Sequence, residues 1–156
     1  MSVVGAGWDK YDGAGRENLD IVSAEGVDIT EVVRLMQRSK IVINNTNFYD
    51  GMHERIFTAM LTGAVCVTNE YKLLNSILEN GKEIVTFPVN ELDRFPKIIK
   101  DLLDNPERAE KIAEAGYRTA LAGHTWEHRG EQIIKWMEDG QDFVYERLCE
   151  SEKGSI

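Results

Sequence analysis

Short apolar runs alternate along the chain with longer stretches in which apolar side chains return every three or four positions. Ser2-Val3-Val4-Gly5 reads as a strand, and Asp20-Ile21-Val22-Ser23 as a second short one. Lys40-Ile41-Val42-Ile43 and Ala64 to Thr68 are continuous apolar runs, the pattern of strands covered on both faces. Glu83 to Phe87 follows the Asn80-Gly81 turn as a fifth strand. Between them lie helical periods. One starts near Ile29, where Asp28 and Glu31 form a capping box and Ile29, Val32, Val33 and Met36 share a face. His53 to Thr62 buries Ile56, Phe57 and Met60 and ends at Gly63, a left-handed C′ position. A short helix is expected from Tyr71 to Glu79. Asn90 opens a segment reaching Asp104, with Pro96 delaying the true helical start. Asn105-Pro106 reads as N-cap and first helical residue of a helix to about Ala122. Thr125 caps another, with Trp126, Ile133, Ile134 and Met137 on one stripe; the tail beyond Gly140 extends it and frays from Ser151. Trp8 to Asn18, with Gly13, Gly15 and no apolar period, reads as loop.

Strands alternating with helices predict an α/β fold: a doubly wound, Rossmann-like parallel sheet of about five strands with a helical C-terminal segment. Doubly wound nucleotide-binding halves usually carry about six strands. The chain opens on a strand with no strand and helix before it, so the expectation is that the first βα unit is missing.

Composition narrows the function. The 156 residues suit one domain, expected over 1–150 with a frayed tail at 151–156. Twenty-seven Asp and Glu against 18 Lys and Arg give a net charge of -9, which repels nucleic acid and anionic membrane surfaces yet permits one phosphorylated ligand. Cys66 and Cys149 form no metal-ligand spacing, and reduced thiols in the cytoplasm are the expectation. No apolar stretch has the length of a membrane span.

Ligands of open α/β sheets bind beyond the C-terminal ends of the strands, which selects three loops. Gly5-Ala6-Gly7 before Trp8 lets backbone approach a ligand, but the next segment is loop, so the dinucleotide fingerprint is incomplete and a dehydrogenase is disfavoured. Asn44 to Arg55 is the richest: Asn45, Asp50, Gly51, Met52, His53, Glu54 and Arg55 precede or open a helix whose N-terminus attracts anions. There Asp50 would accept from ligand hydroxyls, Arg55 would pair with phosphate and His53 would donate to either. The bland reading stands beside it: Asp50 caps the helix, Glu54 complements its dipole and Arg55 is solvated. Asn69-Glu70-Tyr71 contacts a ligand or caps the next helix. His124 and His128, four apart, suggest a metal pair, but Thr125 as N-cap leaves His124 outside the helix, favouring a packing role; no metal site is expected.

Gly51-Met52-His53-Glu54-Arg55-Ile56-Phe57-Thr58-Ala59-Met60-Leu61-Thr62-Gly63-Ala64-Val65 resembles the donor-site segment of glycosyltransferases of the GT-B fold, specifically the "glycosyl transferases group 1" branch with spore-maturation-type members. Gly7-Trp8, Asn105-Pro106-Glu107 before Ala115-Gly116-Tyr117-Arg118, and His124-Thr125-Trp126-Glu127-His128-Arg129 match as well, so the resemblance spans about residues 3 to 138. It implies the C-terminal, nucleotide-sugar-binding domain of such an enzyme, metal-independent and without a cofactor beyond its nucleotide-diphosphate sugar. Its partner would be an N-terminal acceptor-binding domain outside this chain, leaving the isolated chain inactive. The implied donor-binding residues are Gly7, Trp8, Asn45, Asp50, Gly51, Met52, His53, Glu54, Arg55, Thr58 and Asn69. Relatives with a Glu-x7-Glu motif place its acids at Asp50 and Thr58; the first keeps a carboxylate, and the second has a hydroxyl in its place. The alternative is a degenerate GT-B-like domain serving as a non-catalytic interaction module.

Overall fold

A computed structural model describes residues 1–23, 25–45 and 52–140. The chain divides into two compact units, Met1–Leu35 and Met36–Ile156.

In the first unit, β1 (Ser2–Val4) and β2 (Asp20–Ser23) pair in parallel, with a register shift between Val3 and Val4. The connection between them, read as loop, contains two short 3-10 turns, Trp8–Lys10 and Arg16–Asn18. Gly7 and Gly15 precede these turns at φ 92 and 81, a region that disfavours side chains with a Cβ. Helix α1 (Ile29–Gln37) starts where the capping residue predicts. Asp28 Oδ1 accepts from the backbone N–H of Thr30 at 2.7 Å and of Glu31 at 3.1 Å. These two bonds favour the ionised form and hold the Asp28 carboxyl below its usual range.

The second unit is built on three parallel strands: β3 (Ile41–Ile43), β4 (Val65–Asn69) and β5 (Val85–Phe87), in that spatial order. The five expected strands are all present and every pairing is parallel, but the ladders close into a pair and a triplet. Helices α2 (Glu54–Leu61) and α3 (Lys72–Ile77) connect the three strands. After β5 comes a 3-10 segment, Val89–Arg94, then α4 (Phe95–Asp104), α5 (Pro106–Gly123) and α6 (Trp126–Asp139). Against the expectation that Pro96 would disfavour α geometry at the residue before it, Phe95 is helical at φ -56, ψ -48 and opens α4; the proline ring is accommodated because it lies in the first turn, where its missing N–H costs no helical bond.

Strand β4 shows why the unit is doubly wound. Its five residues are all buried, and because side chains alternate faces, they feed two cores. Cys66 packs with Ile56, Met60, Leu74, Ile77, Leu78, Ile84 and Ala120 on one face. Val65 and Val67 pack on the other with Val85, Phe87, Leu102 and Ile112. Burial in apolar surroundings pushes the Cys66 thiol up to about 12. Strand β3 departs from the expectation of cover on both faces. It is the edge of the triplet, and Ile43 is 44% exposed.

Two polar details fix α5 against the sheet. Glu83, expected in a strand, instead lies just before β5, with its carboxylate buried. It accepts from the Glu79 N–H at 2.9 Å and from the Thr119 hydroxyl at 2.7 Å. Gly116 lies so close to Glu83 that a Cβ there would stand 2.5 Å from the Glu83 carbonyl oxygen. Asn105 corrects another expectation. Its side chain makes no cap bond to α5; Nδ2 donates back to the Asp101 carbonyl at 2.9 Å and closes α4. The stripe on α6 is present, but it faces outward, with Trp126 at 80% and Met137 at 72% exposure.

Candidate functional site

Helix α2 and the junction of α5 with α6 enclose a cavity of about 360 Å³. One wall is the face of α2 that recurs every three to four residues: Glu54, Phe57, Thr58 and Leu61, with Met52 just before the helix. The opposite wall is His124, Thr125, Trp126 and Arg129.

The second wall is held to the first by His124. This residue is buried, and its ring stacks on Phe57 with centroids 4.4 Å apart and planes 6° from parallel. Arg129 Nη2 donates to His124 Nδ1 at 2.7 Å. An arginine can only donate, so Nδ1 is the unprotonated nitrogen, and in the neutral ring the proton sits on Nε2. His128 is engaged elsewhere, its Nδ1 lying 2.7 Å from the Thr125 hydroxyl. The two histidines thus have different partners through Nδ1, Arg129 for His124 and Thr125 for His128. Thr125 begins α6 and accepts, at 3.5 Å, from the His128 N–H.

The same donor logic decides the start of α2. Arg55 Nη2 lies 2.6 Å from His53 Nε2, so Nε2 accepts and the neutral ring carries its proton on Nδ1. Nδ1 lies 2.7 Å from Glu54 Oε2 and 3.2 Å from the Arg55 backbone N–H, which places the His53 ring at the N-cap of α2. Arg55 is exposed and turned toward His53, not among the residues lining the cavity. Thr58 Oγ1 donates back to the Glu54 carbonyl at 3.1 Å, an i to i−4 bond within the helix.

Of the residues singled out in the sequence, Met52, Glu54 and Thr58 thus come together on one cavity, with His53 and Arg55 beside it. Asp50 and Gly51 lie outside the described residues. Asn45 is exposed after β3, and Asn69 is buried at the end of β4; neither lines the cavity. Its neighbour Asn44 is buried and donates from Nδ2 to the Thr68 hydroxyl at 3.4 Å. Gly7 and Trp8 belong to the Met1–Leu35 unit, where Trp8 meets Tyr11 edge to face at 6.1 Å. The sequence reading missed Phe57, Leu61, Trp126 and Arg129 as lining residues, and gave His124 and Thr125, which also line it, packing and capping roles alone. Helical spacing from Glu54 would have found the first two; nothing local in sequence brings α6 to α2.

Among the described residues no group of three or more His, Cys, Asp or Glu could hold a metal ion. No helix among them is long and apolar enough to cross a membrane.

Comparison with solved structures agrees with the fold. HepE of Anabaena in complex with UDP-glucose superposes with a TM-score of 0.73 at 19% identity, covering 88% of this chain and 40% of that one. The same protein in complex with UDP gives 0.72 at 19% identity and the same coverage. Sucrose-phosphate synthase from Thermosynechococcus elongatus gives 0.67 at 14% identity, covering 90% of this chain and 39% of its own. The chain thus spans about two fifths of the structures it matches, one half of a GT-B fold. No curated protein matches the sequence. A family profile described as "Glycosyl transferase-like" matches residues 1–135, and with that match over most of its length the chain belongs to the glycosyl transferase-like family.

Proposed function

We propose that this chain is the donor-binding domain of a glycosyltransferase, moving a sugar from a nucleotide-diphosphate sugar to an acceptor held by a second, N-terminal domain. The observation that carries this reading is the cavity on α2. The resemblance of the Gly51 to Val65 segment to a donor-site segment makes α2 the expected donor helix, and Met52, Glu54 and Thr58 from that segment line one wall. Asp50, Gly51, His53 and Arg55 would position the donor from the preceding loop. Asn45 and Asn69, at the ends of β3 and β4, are further candidates for ligand contact outside the cavity, and Gly7 and Trp8 are candidates within the Met1–Leu35 unit. Charge on the departing diphosphate would be stabilised by helix N-termini and basic groups, without a metal. A catalytic base, if the reaction uses one, would come from the second domain. We place the protein in the cytoplasm on the strength of its thiols and acidic surface.

A specific observation favours a second reading, a degenerate module retained for interaction. Thr58 stands where relatives carry an acid, and its hydroxyl is already bonded within the helix. Titration of the domain with UDP, GDP, ADP and their sugars separates the two. Saturable binding abolished by Asp50→Ala supports a live donor site. An absence of binding at millimolar ligand would leave the interaction module as the better account.

A further inference from the structure

Large apolar side chains make up much of the cavity between α2 and α6, with Met52, Phe57, Leu61 and Trp126 among those that line it. Several of its polar groups are committed within the chain. The Thr58 hydroxyl donates to the Glu54 carbonyl, the Thr125 hydroxyl meets His128 Nδ1, and Arg129 bonds to Gln132 and His124. Trp126 is different. It is 80% exposed, and its indole makes no ring contact, hydrogen bond or ion pair with another described residue.

The backbone beneath that indole is nevertheless fixed. Trp126 is the first residue of α6, and the Arg129 N–H closes the opening turn on the Thr125 carbonyl at 3.2 Å. Two residues earlier, the His124 N–H donates to the Ala120 carbonyl at 2.9 Å, and the His124 ring stacks on Phe57 of α2. A tryptophan side chain has only two torsions to immobilise, so holding it against a ligand costs little.

The lining discriminates among the parts of a nucleotide sugar, and about 360 Å³ suits a part rather than the whole. A diphosphate would meet repulsion from the Glu54 carboxylate. A sugar ring would bring several hydroxyls, each needing a partner once it leaves water, to walls that are largely apolar. A nucleobase carries two π-faces, confines its polar atoms to an edge and stacks on an aromatic ring whatever its identity. We propose that Trp126 is the platform on which the nucleobase of a nucleotide-diphosphate ligand stacks in this cavity. The proposal rests on the donor-binding reading above and adds which part of the ligand the cavity takes.

The test is calorimetric titration of the wild-type chain, Trp126→Ala and Trp126→Phe with uridine, guanosine, UDP, GDP, glucose and inorganic pyrophosphate, with melting temperatures recorded alongside. Because the side chain is exposed, both variants should melt within about 2 °C of the wild type. Trp126→Ala is expected to weaken binding of a nucleoside and of its diphosphate by the same factor, about ten- to a hundredfold. Binding of pyrophosphate and glucose should stay unchanged, and Trp126→Phe, which keeps a ring, should fall between wild type and alanine. Nucleoside and diphosphate affinities indifferent to Trp126→Ala would overturn the platform while leaving the donor site in place. A loss confined to glucose would overturn it in favour of a sugar-binding indole, and a loss shared by pyrophosphate would make Trp126 a merely structural residue. Nucleosides held through Trp126, with UDP and GDP bound no more tightly, would retain the platform and remove the donor reading. A wild type that binds none of the ligands removes both.

Discussion

Two glycines on neighbouring helices should respond to the same substitution with opposite signs. Gly116 lies within α5, and a methyl group there would stand 2.5 Å from the Glu83 carbonyl oxygen, with the Met60 side chain 3.5 Å away. A carbon and an oxygen in ordinary contact sit about 3.3 Å or more apart, so α5 must withdraw by most of an ångström. The atom it meets is backbone, fixed at the entrance to β5, and cannot rotate aside. Withdrawal also loosens Ile112 and Ala120, which α5 contributes to the two cores, and stretches the 2.7 Å bond from Thr119 to the buried Glu83 carboxylate. Overpacking of this kind costs about 1–3 kcal/mol, with about 1–3 kcal/mol more if the carboxylate loses its donor. Removing a helical glycine returns about 1 kcal/mol. With both costs incurred, Gly116→Ala should therefore be destabilised by about 1–5 kcal/mol net. Gly130, in α6, has nothing within 4 Å of its would-be Cβ, so Gly130→Ala should be stabilised by up to about 1 kcal/mol. Urea unfolding followed by circular dichroism, with equal m-values confirming a common denatured state, measures both. The reasoning fails if Gly116→Ala is as stable as the wild type, or if the two variants shift in the same direction.

Two further expectations concern the thiol and the outward face of α6. The Cys66 thiol has its pKa raised from 9.0 to about 12 in the folded protein, so the folded state keeps its proton where the unfolded chain has lost it. Its contribution to stability is complete below pH 9 and falls as pH rises from there toward 12, by about 1.4 kcal/mol per pH unit within that window. The difference in unfolding free energy between wild type and Cys66→Ala, measured across that range, should shrink with rising pH; a constant difference would refute the burial argument. Ile133→Lys and Met137→Lys, on a face that is 58% and 72% exposed at these positions, should change the stability of this chain by no more than about 0.5 kcal/mol in thermal melts. A larger loss would mean that the face is covered within the chain.

The local readings that held are those in which neighbours in sequence decide the outcome. Asp28 starts α1 because its own side chain reaches N–H groups two and three residues on. Gly63 ends the turn after α2 because the backbone there needs φ 79. The apolar run from Ala64 to Val67 foretold the burial of β4 on both faces, since successive apolar side chains point to opposite sides of a strand and each side must be covered. Long-range pairing was beyond these signals. Five parallel strands were legible, yet their closure into a pair and a triplet depends on which edges meet, and a short apolar strand such as β3 carries no mark of being an edge. Asn105 turns back to α4 because the Asp101 carbonyl competes for its amide, a choice that proline spacing does not record. The site divides the same way. Residue types and their resemblance to a known pattern picked out Glu54 and Thr58 on one helix and Met52 just before it. That His124 stacks on Phe57, brings Arg129 to that helix and so closes a cavity was settled by tertiary packing, because the residues concerned lie some seventy positions apart in the chain.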